Sequence, residues 1–114
     1  VRMQTVCLEC HNQTFIKNFY ADADKARTAV NGFVEQGNQV LQPLKDKDLL
    51  TAVQFDEPID FVSYELWHHW GRTAKFGTWM QGPDYVQWHG AYEMLRSLSE
   101  LREMTDLKLS EAEK

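Results

Sequence analysis

The sequence is poor in cysteine and has no long apolar run, and each shortage excludes a class of protein. Only two cysteines occur in 114 residues, and both lie in one short stretch, so a disulfide-rich scaffold is excluded. No stretch approaches the roughly 20 apolar residues that a membrane-spanning helix requires. We therefore predict a chain without a transmembrane segment.

A concentrated patch of basic residues is also missing. The chain has 12 lysines and arginines against 17 aspartates and glutamates, a formal net charge of −5, and its basic residues are scattered. Proteins that track the phosphates of a nucleic acid concentrate positive charge on one face. We therefore expect no nucleic-acid partner.

No convincing β pattern is present, and the apolar periodicity predicts an all-α fold. Apolar side chains recur three and four residues apart from just after the second cysteine to about Leu41. Pro43 is expected to end this first helix, and Gly32 and Gly37 predict a kink or fraying in its second half. A polar connector is expected over residues 43–57.

Proline and glycine mark the other two helices. Acidic residues followed by Pro58 are typical of a helix start, and this helix is expected to run to about residues 76–80. Gly82 and Pro83 then break the chain, and a third helix follows to about Leu107. The sequence therefore predicts an elongated three-helix arrangement.

The two cysteines stand in a Cys-X-X-Cys-His motif. Cys7 and Cys10 lie three residues apart and His11 follows directly. Thiols at this spacing can add to the two vinyl groups of one heme, and the adjacent imidazole then lies beneath the iron as its ligand. We therefore predict a heme c attachment segment over residues 1–12 and a C-terminal helical region over residues 13–114. A thioredoxin-like pair is disfavoured because no βαβ pattern is present, and a zinc site would need a distant histidine as a further ligand.

Heme attachment also predicts a compartment. Covalent attachment of heme takes place outside the cytoplasm, yet the chain opens at Val1 without an initiator methionine or an apolar signal region. Six residues precede Cys7, which is little chain to cover that side of a heme. We therefore expect a processed chain, or a piece of a larger multiheme protein, in the periplasm or an equivalent extracytoplasmic compartment.

Several side chains are candidates for further contacts with heme. His68 and His69 are adjacent on a helix and face different directions, and His89 follows in the third helix; each could be a distal iron ligand or could be hydrogen-bonded within an aromatic core. Met80 is a conceivable axial ligand, although a methionine at a helix end more often packs. Arg72 suits a heme propionate, with a surface salt bridge as the alternative.

Aromatic residues are concentrated in the second half of the chain. Tyr64 and His68 are four residues apart and should share a helix face, while Tyr85, His89 and Tyr92 should lie on nearly one face of the third helix. Side chains that follow a tight loop are well placed to reach another subunit. All four tryptophans lie within 22 residues, which indicates a surface that packs against something large and flat or against another chain; they are Trp67, Trp70, Trp79 and Trp88.

Three segments carry a resemblance to a known family. Residues 64–72 (YELWHHWGR), 75–77 (KFG) and 80–90 (MQGPDYVQWHG) resemble the C-terminal region of octaheme cytochromes of the hydroxylamine oxidoreductase family. That family includes hydrazine dehydrogenases and relatives that act reductively on nitrite. The resemblance covers nearly the whole chain, with residues 84–90 as its most specific part. The chain departs from the family in having one Cys-X-X-Cys-His motif where the family has eight.

The resemblance implies a segment of a multiheme c-type oxidoreductase that oxidises hydroxylamine or hydrazine. Members of the family are homotrimers in which most hemes are bis-histidine wires and one heme has an open iron position. In the oxidative members a tyrosine from the C-terminal helices of a neighbouring subunit is bonded to that heme. By local sequence pattern, the resemblance assigns this tyrosine to Tyr85, with Tyr64 and Tyr92 as lesser candidates.

The resemblance also implies the partners. These are the upstream chain with its other hemes, and a cytochrome or quinone system as redox partner, in the anammoxosome lumen if the enzyme is a hydrazine dehydrogenase. The catalytic heme would lie outside this chain, so the segment alone should not be a competent enzyme. The alternative is a small monoheme cytochrome c that only carries electrons, with Met80 or a histidine as its sixth ligand. A zinc- or thiol-based helical interaction module is a third, remote interpretation.

Overall fold

The computed structural model describes residues 2–114, which form helices and no β-strand. The molecule is elongated, with extents of 65 × 23 × 20 Å, and the predicted elongated all-α fold is confirmed. The helices are α1 (Arg2–Cys7), α2 (Gln13–Asp46), α3 (residues 58–79) and α4 (residues 83–112). Helix α3 consists of Pro58–Tyr64, the π-helical Glu65–Gly71 and Arg72–Trp79; α4 consists of Pro83–Val86, the π-helical Gln87–Ala91 and Tyr92–Ala112.

Helix α2 begins directly after the cysteine motif, as predicted. Asn12 is its N-cap, in an extended conformation, and its side-chain oxygen accepts a hydrogen bond of 2.9 Å from the Phe15 amide. The prediction that Pro43 ends this helix is wrong, because α2 continues to Asp46 with Pro43 inside it. Leu44 is completely buried in the core, and its burial favours continuing the helix past the proline.

The predicted fraying at the glycines of α2 is also absent, since the helix is continuous from residue 13 to residue 46. Gly37 is buried where α2 crosses α3. A Cβ atom there would lie 2.4 Å from the Cδ2 atom of Leu66, which is far inside van der Waals contact. Gly37 therefore allows close packing of two helices.

Two turns with the same geometry end α2 and α3. Asp48 and Gln81 follow the last residues of these helices in the left-handed region, with φ of 51° and 57°. The next amide in each turn donates back to a carbonyl five residues earlier, Leu49 to Leu44 and Gly82 to Gly77, both at 2.9 Å. This is the Schellman pattern, which satisfies the last helical carbonyls and lets α4 fold back beside α3.

The core lies where the α3–α4 hairpin packs on the second half of α2. A Cβ atom on Gly90 would lie 2.7 Å from the Cβ of Ala74, so α3 and α4 approach closely at that point. The first half of α2 extends beyond the core. The buried residues of the core are Val30, Leu41, Leu44, Ile59, Leu66, Ala74, Met94, Leu98 and Leu101.

In residues 2–114, no helix combines the length and the apolar character needed to span a lipid bilayer.

Candidate functional site

Cys7, Cys10 and His11 lie in one helical turn between α1 and α2. The amides of Cys10 and His11 both donate to the carbonyl oxygen of Cys7, at 3.2 and 2.9 Å. Residues three and four apart in such a turn are neighbours on one face. Cys7 is half-buried, Cys10 is exposed and both thiols are free. The backbone therefore places the three residues at neighbouring positions of one turn, which is the spacing that attachment of a heme uses.

The turn is surrounded by exposed apolar side chains. Met3, Val6, Leu8 and Phe15 each leave about half or more of their surface exposed, and no residue of α1 is buried. A contiguous exposed apolar patch on a soluble protein commonly marks a binding surface. The donor set and this apolar collar fit a large, flat, apolar group such as heme.

His11 is oriented by a neighbour that the sequence analysis did not single out. Its imidazole stacks on the ring of Phe15, with 4.4 Å between the ring centroids and 16° between the planes. The spacing of four residues is the signal that could have identified this pair. The imidazole is exposed, so its ring nitrogens are accessible to an iron atom.

The end of α3 and the start of α4 enclose an open cleft of about 760 Å³. Gly77 permits the Tyr85 ring to lie against α3, since a Cβ atom there would be 2.9 Å from the Cδ1 of Tyr85. Arg72 is exposed and forms no ion pair with any carboxylate among residues 2–114, so the predicted salt bridge is not found. The cleft is lined by His69, Arg72, Thr73, Phe76, Met80 and Tyr85.

The π-helical segments change which candidates share a face. Tyr64 stacks on His68 at 4.5 Å, as its spacing predicts, whereas Arg72, four residues beyond His68, lines the cleft with Tyr85. The π-helical Glu65–Gly71 lies between them, and its wider turn shifts the residues that follow around the helix axis.

The same effect separates the tyrosines of α4. Tyr85 contacts His89, with ring centroids 5.3 Å apart, whereas Tyr92 contacts Trp88 at 5.8 Å. Of the predicted common face of Tyr85, His89 and Tyr92, the structure brings the rings of Tyr85 and His89 together. Tyr92 follows the π-helical Gln87–Ala91 and contacts Trp88 instead. Of the three tyrosine candidates, Tyr85 lines the cleft with Arg72.

An aromatic cluster holds the first half of α2 against the end of α3. The Trp79 ring lies 6.0 Å from Phe19 and 5.4 Å from Tyr20, in edge-on arrangements. Such pairs stabilise by about 0.5–1.5 kcal/mol beyond their buried area. The sequence analysis missed this contact because the two helices are far apart along the chain. The cluster connects the helix that begins at the cysteine motif with the helix that ends at the cleft.

The three remaining histidines, His68, His69 and His89, are exposed and are therefore not buried in an aromatic core. His68 contacts Tyr64 and Trp67, at 4.5 and 4.1 Å, and His69 contacts the half-buried Trp70 at 4.4 Å. Trp67 and Trp88 leave more than half of their surface exposed. The aromatic concentration therefore lies largely on the surface.

The part of the chain that the structure describes contains no set of ligands for a zinc ion. Among residues 2–114 no group of three or more histidine, cysteine, aspartate or glutamate side chains lies close enough together to hold a metal ion.

No protein-family model, no curated protein and no solved structure matches this chain. The resemblance to octaheme cytochromes therefore stays a prediction that rests on residues 64–90.

Proposed function

We propose that this chain carries one heme c on Cys7 and Cys10, with His11 as an iron ligand, and is a segment of a multiheme oxidoreductase that oxidises hydroxylamine or hydrazine. The heme part is supported by one observation, the helical turn that contains Cys7, Cys10 and His11 at the spacing of a heme attachment motif. The oxidoreductase part rests on the resemblance of residues 64–90.

The residues of the turn have different roles in heme attachment. Each thiol would hold the heme through a thioether to one vinyl group, with the sulfur on one vinyl carbon and the thiol proton on the other, so that no oxidant is needed. His11 would be the iron ligand, and its stacking on Phe15 limits ring rotation. A heme bound here supplies one-electron redox chemistry. Asn12 stabilises the turn by capping the helix that follows.

The cleft at the α3–α4 turn supports Tyr85 as the tyrosine that joins the catalytic heme of a neighbouring subunit. Tyr85 is half-exposed and lies beside Arg72, whose guanidinium suits a propionate. Tyr64 stacks on His68 and Tyr92 contacts Trp88 in a tilted arrangement, and neither tyrosine lines this cleft. The subunits would form a homotrimer.

The rest of the enzyme follows from the same proposal. A heme held by Cys7, Cys10 and His11 would supply an electron relay between a catalytic heme outside this chain and a cytochrome or quinone system. His68, His69 and His89 are exposed and available as distal ligands to neighbouring hemes. The enzyme works in the periplasm or an equivalent compartment, and this segment alone is not catalytically competent.

A second candidate is a monoheme cytochrome c that only carries electrons. The observation that favours it is the Trp79 cluster, which holds the end of α3 against the first turns of α2. Met80 follows Trp79 and is 78% exposed. A thioether on this side of the molecule is a candidate sixth ligand for the iron.

The decisive experiment tests the heme first. The full chain is expressed with export and heme-attachment machinery, and its absorption is recorded in alkaline pyridine. We expect a c-type spectrum that survives extraction with acidified organic solvent. Cys7→Ser with Cys10→Ser should abolish retention of heme, and Ser99→Ala, at an exposed site on α4, should not. Absence of a c-type spectrum from the unaltered chain would refute both candidates.

A second experiment separates the candidates. Further Cys-X-X-Cys-His motifs in the coding sequence upstream of residue 1 support the multiheme enzyme, and their absence supports the monoheme carrier. In the intact enzyme, Tyr85→Phe should abolish the link to the catalytic heme, seen by mass spectrometry, and hydroxylamine oxidation. Tyr92→Phe is the matched control. Retention of both properties in Tyr85→Phe would exclude the assignment.

A further inference from the structure

The histidines of the chain lie at very different positions along α2. His11 lies at the start of this helix, because its ring stacks on Phe15 in the first turn. Helix α2 is continuous over residues 13–46 and rises about 1.5 Å per residue. A residue that packs against α2 can therefore be placed by its distance from that first turn along the helix axis. The other three histidines belong to α3 and α4; they are His68, His69 and His89.

Two contacts place the π-helical segment of α3 far from the cysteine motif. A Cβ atom at Gly37 would lie 2.4 Å from Leu66, and one at Gly71 would lie 3.6 Å from Val30. Gly37 and Val30 are about 33 and 22 Å from the first turn of α2 along its axis. Both histidines of α3 come between Leu66 and Gly71 in the chain, so they lie about 20 Å or more from the motif.

The histidine of α4 is also distant. A Cβ atom at Gly90, the residue after His89, would lie 2.7 Å from the Cβ of Ala74. Helix α3 runs antiparallel to α2, and Ala74 comes nearly one turn after Gly71, so this contact is about 18 Å from the first turn of α2. Two axial ligands of one iron are about 4 Å apart, because a metal–imidazole bond is about 2 Å long. None of the three histidines therefore reaches an iron bound to His11 of the same chain.

Met80 is nearer, but its side chain lies in a different cleft. The ring of its neighbour Trp79 contacts Tyr20, about 8 Å beyond Phe15 along α2. Phe15, which stacks on the motif imidazole, lines a groove of about 560 Å³ between α2 and the α3–α4 turn. Among residues 2–114, the side chains that line this groove include no histidine, cysteine or methionine. Met80 lines the cleft at Tyr85 instead.

We propose that His11 is the only axial ligand that this chain supplies to the heme on Cys7 and Cys10, and that the second axial ligand comes from outside the chain. The proposal rests on heme attachment at the motif. It names a binding site of the chain by itself: the second axial position takes a small neutral donor such as imidazole or carbon monoxide. A monoheme carrier with a methionine ligand would have no such site.

The test uses the full chain after heme attachment has been established by its absorption in alkaline pyridine. The ferric chain is titrated with imidazole at pH 7 and followed by visible absorption and electron paramagnetic resonance, and the reduced chain is exposed to carbon monoxide. We expect a high-spin ferric signal that imidazole converts to low-spin, and a ferrous carbonyl complex. A low-spin ferric chain that neither reagent changes would overturn the proposal while heme attachment stood. Absence of a c-type spectrum would refute heme attachment and the proposal together, so the two failures are distinguishable.

Variants then test the individual side chains. Met80→Ala and His68→Ala should each keep the imidazole affinity within about twofold of the unaltered chain, equivalent to about 0.4 kcal/mol. A rise of about tenfold or more in either variant would show that the replaced side chain competes for the iron, and would overturn the proposal. The spectra of the unaltered chain need no variant, so they decide even where a variant does not fold.

Discussion

Residues 2–29, the N-terminal arm, and residues 30–105, the helical core, are stabilised to very different degrees. In the core, α3 and α4 pack on the second half of α2 around a continuous set of buried side chains. In the arm, α1 buries none of its residues, and the first half of α2 buries Ile16 and Ala23. The arm nevertheless carries the cysteine motif.

This difference in burial indicates how the N-terminal arm would be stabilised if it carries the proposed heme. A covalently attached heme brings a large apolar face, so the segment that carries it needs little core of its own. The exposed apolar collar around Cys7 and Cys10 is the surface that such a face would cover. The core, in contrast, has to position the cleft at Tyr85 and is packed through direct helix contacts.

The largest effect is expected in the core. Leu101 is completely buried, so Leu101→Ala should lower the free energy of unfolding by about 2–5 kcal/mol through lost burial and the cavity that remains. Leu95→Ala is the control, because Leu95 lies on the same helix and is half-exposed; its effect should stay within about 0.5 kcal/mol. Urea denaturation followed by circular dichroism measures both. Similar losses in the two variants would contradict the assignment of the core.

The second prediction concerns the arm. Asn12→Ala removes the cap of α2 and should cost about 1 kcal/mol locally, so amide exchange at Phe15 should become about fivefold faster. The urea midpoint of the core should not change. Asn12→Asp keeps the acceptor oxygen and should exchange like the unaltered chain. If Asn12→Ala lowered the urea midpoint of the core by the amount that a loss of about 1 kcal/mol implies, the arm and the core would unfold as one unit.

Much of the fold could be predicted from the sequence because the prolines and glycines that start and end its helices act locally. Pro58, Gly82 and Pro83 mark helix boundaries that the structure reproduces within a few residues. The end of α2 could not be predicted, because burial of Leu44 in the core decides that the helix continues past Pro43. That burial depends on contacts with helices far away in sequence.

The candidate site divides in the same way. The grouping of Cys7, Cys10 and His11 follows from their spacing alone, and the structure places them in one helical turn. The grouping of Arg72 with Tyr85 does not, because it depends on the Schellman turn at Gln81 and on a π-helical segment in α3. Apolar periodicity carries no signal for a π-helical segment.

The smallest effect is expected at an ion pair that ties the connector to α4. Lys108 donates to Glu57, with side chains 27% and 20% exposed. Two hydrogen bonds lower the pKa of the Glu57 carboxyl below its ordinary value: the one from Lys108 has the larger effect, and the one from the Thr51 amide has the smaller. A carboxyl whose pKa is lower in the folded chain stabilises the fold at neutral pH. That contribution is lost as the pH falls from about 4.3, where a free glutamate titrates, through the folded-state pKa.

Glu57→Gln should therefore destabilise the chain at pH 7 and make little difference at acid pH, where the unaltered chain has also lost the charge. Urea midpoints of the two chains at pH 7 and at about pH 3 measure this. Asp24→Asn is the control in the arm, since its pair with Arg27 is more than half exposed and such pairs contribute little. A gap between Glu57→Gln and the unaltered chain that stays the same at both pH values would show that Glu57 acts through packing. The connector, residues 47–57, would then be held to the core by side-chain packing, as Leu101 is, and the charge of Glu57 would not contribute.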